Sequence, residues 1–142
     1  MSTSKILATW PLRITTGAFI ANSGWGKLNA DAEAAEQTHG FASAAYPFLA
    51  DVPAEQFNRA LAIAETAIGA ALLTPGVPAR IAGLGLTGLG AGLVGLYLRA
   101  PGLREQGSLR PTPDGIGIAK DSWLVGAGLA LLAFDRYRRK HT

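Results

Sequence analysis

Eighteen consecutive residues, Ile81 to Leu98, carry no charge, and only Thr87 and Tyr97 among them have polar side chains. A helix rises about 1.5 Å per residue, so this run nearly crosses a hydrocarbon core of ~30 Å. Three further apolar stretches lie around it, each interrupted by one to three ionisable residues. The pattern predicts an all-α chain, an integral membrane four-helix bundle with a long external loop between the first two helices. In such a chain the few charges inside the helices are where function is to be sought.

Composition narrows the class. Of the 142 residues only 16% are charged and 49% are hydrophobic, where soluble domains carry roughly 25% charge. Four spans and their loops use the whole length, which leaves no room for a separate catalytic domain. The net charge is +3, but the basic residues flank apolar runs instead of forming a stripe on a polar domain. That distribution argues against a nucleic-acid partner and for membrane lipid. With no cysteine in the chain, a disulfide framework, a thiolate metal site and a dithiol relay carried by this chain alone are excluded. His39 and His141 stand far apart with no second ligand type at metal-binding spacing, so no metal site is expected. Lys5 and the apolar residues after it superficially look like a signal peptide. Arg13 and Asn22 interrupt that stretch, and it is read as a retained first span.

The spans fall at about 10–28, 53–74, 80–98 and 115–134. Pro11 suits the first turn of span one. The loop from Asn29 to Asp51 is rich in alanine and carboxylates, with one or two turns of surface helix expected over Asp31–Thr38. Phe41, Tyr46, Phe48 and Leu49 follow as interfacial anchors. Asp51 is read as the N-cap of span two, with Pro53 in its first turn. Pro75-Gly76-Val77-Pro78 ends that span, and the short connection makes spans two and three antiparallel neighbours. Pro101-Gly102 ends span three, and a polar loop runs to Asp114. Span four carries Lys120 and Asp121, and Asp135 to Lys140 form a basic tail.

Orientation follows from the basic residues. Lys5, Arg80 and the four tail cations fall on one side, whereas the first loop holds Asp31, Glu33, Glu36, Asp51 and Glu55. The positive-inside rule then makes both termini cytoplasmic in a multi-pass protein of the cell membrane. Arg99, Arg104 and Arg110 run against it, since they would be external. Trp10 and Tyr137 would form an inner aromatic belt, and Trp25, Tyr97 and Trp123 an outer one.

With this topology, Glu65 lies ~12 Å below the start of span two, and Lys120 and Asp121 lie ~8 Å below the start of span four. Lys27 lies at the outer end of span one. These charges come from three helices and share one depth, so they are expected to form a single polar cluster inside the bundle, flanked by Trp25 and Trp123. A carboxylate alone in lipid needs a counter-charge or a proton, so Glu65 is expected to approach Lys27 or Lys120. The cluster has two readings, a structural set of ion pairs and a ligand site. Lys120 and Asp121 are adjacent and point ~100° apart, which favours separate roles. Arg13, ~21 Å along the helix from Lys27, either snorkels to headgroups or serves inside the bundle. Six glycines stud span three, and Gly88 and Gly92 have the GxxxG spacing of close helix packing. The GxGxxG match over Gly83–Gly88 lies inside an apolar span and is no phosphate loop.

Three pieces of the chain, PLRITTGAFIANSGWGKL, Glu65 with Gly69 and a Pro-Gly turn, and GIGIAKDSWLVGAGLALL, resemble the DoxX-like family of small four-helix membrane proteins. Their order covers nearly the whole chain. The resemblance implies a four-helix membrane bundle and, from some members, a link to sulfur or thiol redox chemistry and quinone reduction at the membrane. Three functions stay open. One is a subunit or scaffold of a membrane protein complex that docks other membrane or membrane-associated proteins, with a redox link as one form of it. Another is a quinone- or sulfur-compound-linked oxidoreductase component. The third is a small transporter or channel formed by an oligomer. The chain has no electron-carrier motif and no cofactor of its own is expected, so any redox role needs a partner; a quinone would need an apolar slot with a few donors and acceptors, which Lys27, Glu65, Lys120, Asp121 and the two tryptophans could supply.

Overall fold

The computed structural model describes residues 3–113 and 115–141, with side chains from Leu7 onward. The side chain of Lys5 and the loop end at Asp114, both used in the sequence reading, lie outside the described residues. The elements are α1 (Thr3–Leu28), α2 (Ala32–Ala45), a 3-10 turn (Pro47–Asp51), α3 (Ala54–Leu73), α4 (Ala79–Arg99), α5 (Ile116–Ala119) and α6 (Ser122–Lys140). Among the described residues the chain is all-helical without a strand; an isolated bridge joins Arg104 to Pro111. Two segments, Ala79–Arg99 and Ile116–Lys140, are long and apolar enough to cross a membrane.

Several boundaries differ from the expected ones. Helix α1 starts at Thr3, so Pro11 lies inside it and not in its first turn. The carbonyl of Leu7 thereby loses its intrahelical donor. Helix α2 has 14 residues, not one or two turns. Asp31 caps it, accepting from the Ala34 N–H at 2.9 Å, and Pro47 stops it. Asp51 closes the 3-10 turn and caps nothing; α3 starts after Pro53 with no side-chain cap. Span four is broken. Asp121 N–H bonds to the Ile118 carbonyl, and Leu124 N–H to that of Asp121, each at 3.0 Å. These three-residue steps overwind the chain at Lys120–Asp121 and separate α5 from α6. The basic tail is not a tail but the last turns of α6.

The helices pack as two antiparallel pairs, α1 with α3 and α4 with α6, while the expected neighbours α3 and α4 touch much less. Glycines explain the pairing, because they let backbones approach closely. A Cβ on Gly69 would lie 2.6 Å from the Ala21 nitrogen, and one on Gly24 would lie 2.9 Å from the Ala62 carbonyl. Between α4 and α6, a Cβ on Gly90 would lie 2.9 Å from the Val125 nitrogen, and one on Gly83 would lie 3.0 Å from the Gly128 carbonyl. The GxxxG pair takes no part: a Cβ on Gly88 or Gly92 would meet nothing within 4 Å. Ile20, Leu72, Leu86, Leu124 and Leu131 fill the centre where the two pairs meet.

Arg13 is a structural residue and does not snorkel. It is 2% exposed, and its guanidinium donates to the carbonyls of Ala71 (2.8 Å), Leu72 (2.9 Å), Thr74 (3.0 Å) and Val77 (2.9 Å). The last carbonyls of a helix have no intrahelical donor and carry the negative end of its dipole, so a buried cation is well placed there. Thr9, Arg13, Pro78, Ala79, Asp135 and Arg138 border one small cavity of about 40 Å³. The start of α1, the α3–α4 turn and the end of α6 therefore lie at one end of the molecule. Tyr97 is no belt residue: it is 7% exposed, packs on Ala45, Ala100 and Leu103, and donates to the Leu109 carbonyl at 2.6 Å. Tyr46 also turns inward, donating to the Gly92 carbonyl at 2.8 Å, while Phe41 and Phe48 stay exposed.

Candidate functional site

Ser23 and Lys27 are four residues apart on α1, so they stack on one face. The close approach of α1 to α3 at Gly24 brings that face against Glu65. The Lys27 Nζ lies 3.0 Å from Glu65 Oε2. Ser23 Oγ donates to the same oxygen at 2.9 Å and accepts from Lys27 Nζ at 2.8 Å. Asn58 Nδ2 donates to the Lys27 carbonyl at 2.9 Å and holds the last turn of α1 in place. Glu65 is 4% exposed. Both its hydrogen bonds reach Oε2, so among the described residues Oε1 accepts none. The expected approach of Glu65 to a lysine of another helix is realised with Lys27.

Glu65 and Lys27 separate two cavities. One, of about 440 Å³, is lined mostly by apolar groups from α2, α3 and α4, among them Phe41, Leu61, Leu89 and Leu96. Gly88 and Gly92 also line it, and their missing side chains leave it open. The other cavity, of about 180 Å³, is more polar; Ser23, Lys27 and Glu65 line it together with Lys120 and Asp121. The pair is thus a donor and acceptor set where an apolar groove meets a polar chamber. Lys27 has three N–H donors, two of which are used by Ser23 and Glu65.

The six residues expected to meet here are divided in the structure. Lys27 and Glu65 are in contact. Lys120 and Asp121 line the same chamber, but among the described residues no direct ion pair joins them to Lys27 or Glu65. The Lys120 Nζ instead sits 5.1 Å from the centre of the Phe19 ring. The two tryptophans do not flank the pair inside the bundle: Trp25 is 65% and Trp123 77% exposed. Both stand on outward faces, because the inner faces of α1 and α6 are taken by close backbone contacts. Ser23, Asn58 and helix α2 also contribute to the site, though nothing in the sequence singles them out at first sight. Ser23 is legible in retrospect from its four-residue spacing to Lys27. Helix α2, which roofs the groove, carries too weak an apolar pattern to be read as a packed element.

No family model matches the chain, and neither a curated protein nor a solved structure matches it.

Proposed function

We propose that the chain is an integral membrane four-helix bundle of the DoxX-like kind. In this reading α1, α3, α4 and the α5–α6 segment are the spans. It would serve as a subunit of a membrane protein complex that holds a quinone-like amphipathic molecule. The observation that carries this reading is the Lys27–Glu65 pair, a buried carboxylate with a half-buried lysine at the junction of an apolar groove and a polar chamber. Ligand sites are mostly apolar with a few well-placed polar groups. A ligand with an apolar tail in the groove and a small head between Lys27 Nζ and Glu65 Oε1 fits that description. The chain supplies binding and hydrogen bonds, and a partner protein supplies the electrons.

Lipid as the surrounding medium is supported by the outward faces. Ile14, Phe19, Ile63, Ile81, Leu84 and Leu129 are each at least 40% exposed on the four long helices. Large apolar side chains exposed on several helices fit contact with lipid or a partner. The arginines and lysine at the end of α6, beside the α3–α4 turn, support cytoplasmic termini. Cysteines placed at Ser43 and at Lys140 should label from opposite sides of intact membranes; labelling from one side would overturn the topology.

The ligand is tested with a short-chain ubiquinone or menaquinone analogue in detergent, followed by tryptophan quenching or native mass spectrometry. Binding to the wild type is expected, with loss of about tenfold or more in Gly88→Leu, which places a side chain of drug-fragment size in the groove. A Cβ at Gly88 would meet nothing within 4 Å, and a thermal melt of the variant checks that its fold is kept. No binding by the wild type, or equal binding by the variant, refutes the site.

A further inference from the structure

We infer that Lys120 and Asp121 form a headgroup site for an aminophospholipid, phosphatidylethanolamine in chemical class, in the open seam between α1 and α6. The inference rests on the membrane reading above but not on the quinone. Helices α1 and α6 barely touch. Between them lies an outer groove of about 300 Å³, lined by Thr15, Thr16, Phe19, Lys120, Asp121 and Trp123; Phe19, Lys120 and Asp121 also border the inner chamber. The two charges stand side by side at the break between α5 and α6, at the mouth of this groove. Lys120 is exposed, and its ammonium has only the face of Phe19 as a partner among the described residues. The half-buried Asp121 carboxylate makes no side-chain hydrogen bond and no direct ion pair there. It lies within the field of Lys120, Lys27 and Glu65.

An adjacent cation and anion, each without a direct ionic partner, complement a head that carries both charges. The lipid phosphate would accept from Lys120 Nζ, and the lipid ammonium would donate to the Asp121 carboxylate. Such charge-assisted hydrogen bonds are the strong ones. A purely anionic head would satisfy Lys120 and meet repulsion at Asp121. A choline head has no N–H to give. Deeper in the groove the wall is effectively apolar. Thr15 and Thr16 spend their hydroxyl hydrogens on carbonyls of their own helix, on Pro11 and Leu12, which leaves a lane for an acyl chain past Phe19 and Leu124.

The test uses the full chain in nanodiscs of dioleoyl phosphatidylethanolamine, phosphatidylcholine or phosphatidylglycerol, with retained lipid read by native mass spectrometry after transfer to detergent. The wild type should retain ethanolamine lipid over choline lipid by about tenfold, the order supplied by one charge-assisted hydrogen bond. Asp121→Asn should bring that ratio close to one, and Lys120→Gln should lower retention of all three lipids. Neither residue belongs to the buried core, and a melt of each variant checks its fold. A wild type without preference for the ethanolamine lipid overturns the proposal on its own, whatever the variants do. A preference that persists in Asp121→Asn overturns it as well. A chain that stays in the aqueous phase and takes up no nanodisc refutes the membrane reading, and this site with it.

Discussion

Replacing Glu65 by glutamine keeps the shape of the side chain and removes its charge. The consequence is set by what stays behind. Lys27 would face Ser23 and a neutral amide, its side chain 23% exposed. Removing one partner of a fully buried ion pair costs about 3–5 kcal/mol. Lys27 still reaches the polar chamber, so the lower end, about 3 kcal/mol, is expected for Glu65→Gln. For a chain of this size that loss lowers the melting temperature by roughly 10 °C. Lys27→Met should cost somewhat more, because the Glu65 side chain it strands is only 6% exposed. The decisive measurement is the double variant. With both charges gone, neither is left uncompensated, so its loss should be smaller than the sum of the two single losses by about 2 kcal/mol. Thermal unfolding of the four proteins in one detergent, followed by circular dichroism, gives the cycle. Additive single losses would show that the pair contributes nothing to the fold. A Glu65→Gln protein that melts with the wild type but no longer binds the quinone analogue would move the pair from structure to function.

Gly69→Ala forces α1 and α3 apart against the Ala21 backbone and should destabilise by about 1–3 kcal/mol. Gly126→Ala, with open space around it, should be neutral or gain up to about 1 kcal/mol, and the contrast is read from paired melts. Arg13→Gln removes the shared donor of four carbonyls and should cost about 3 kcal/mol or more. Arg13→Lys should recover only part of that, since a lysine cannot fork to several carbonyls; expression yield and melting temperature report both. Asp31→Ala uncaps α2 and should cost about 1 kcal/mol, with faster hydrogen exchange over Ala32–Ala45 as the specific sign.

The chain determined its helices by itself. A charge-free run from Ile81 to Leu98, proline-glycine breaks at 75–78 and 101–102, and one carboxylate in an apolar stretch leave few alternatives to long helices with Glu65 inside. Charge economy in an apolar environment also made a lysine partner for Glu65 predictable, and it chose between Lys27 and Lys120 no further than depth allowed. That choice belongs to the tertiary structure. Helices pair where backbones approach most closely, and which glycines meet a neighbour is not written in glycine spacing. Gly24, Gly69, Gly83 and Gly90 do, and the more conspicuous Gly88 and Gly92 do not. The pairing of α1 with α3 selected Lys27, left Lys120 at an open seam and turned Arg13 onto the end of α3. It also left the gap between the two pairs that α2 roofs. Helix α2 and the break at Lys120–Asp121 rest on caps, turns and neighbours from distant parts of the chain, and no local period records those.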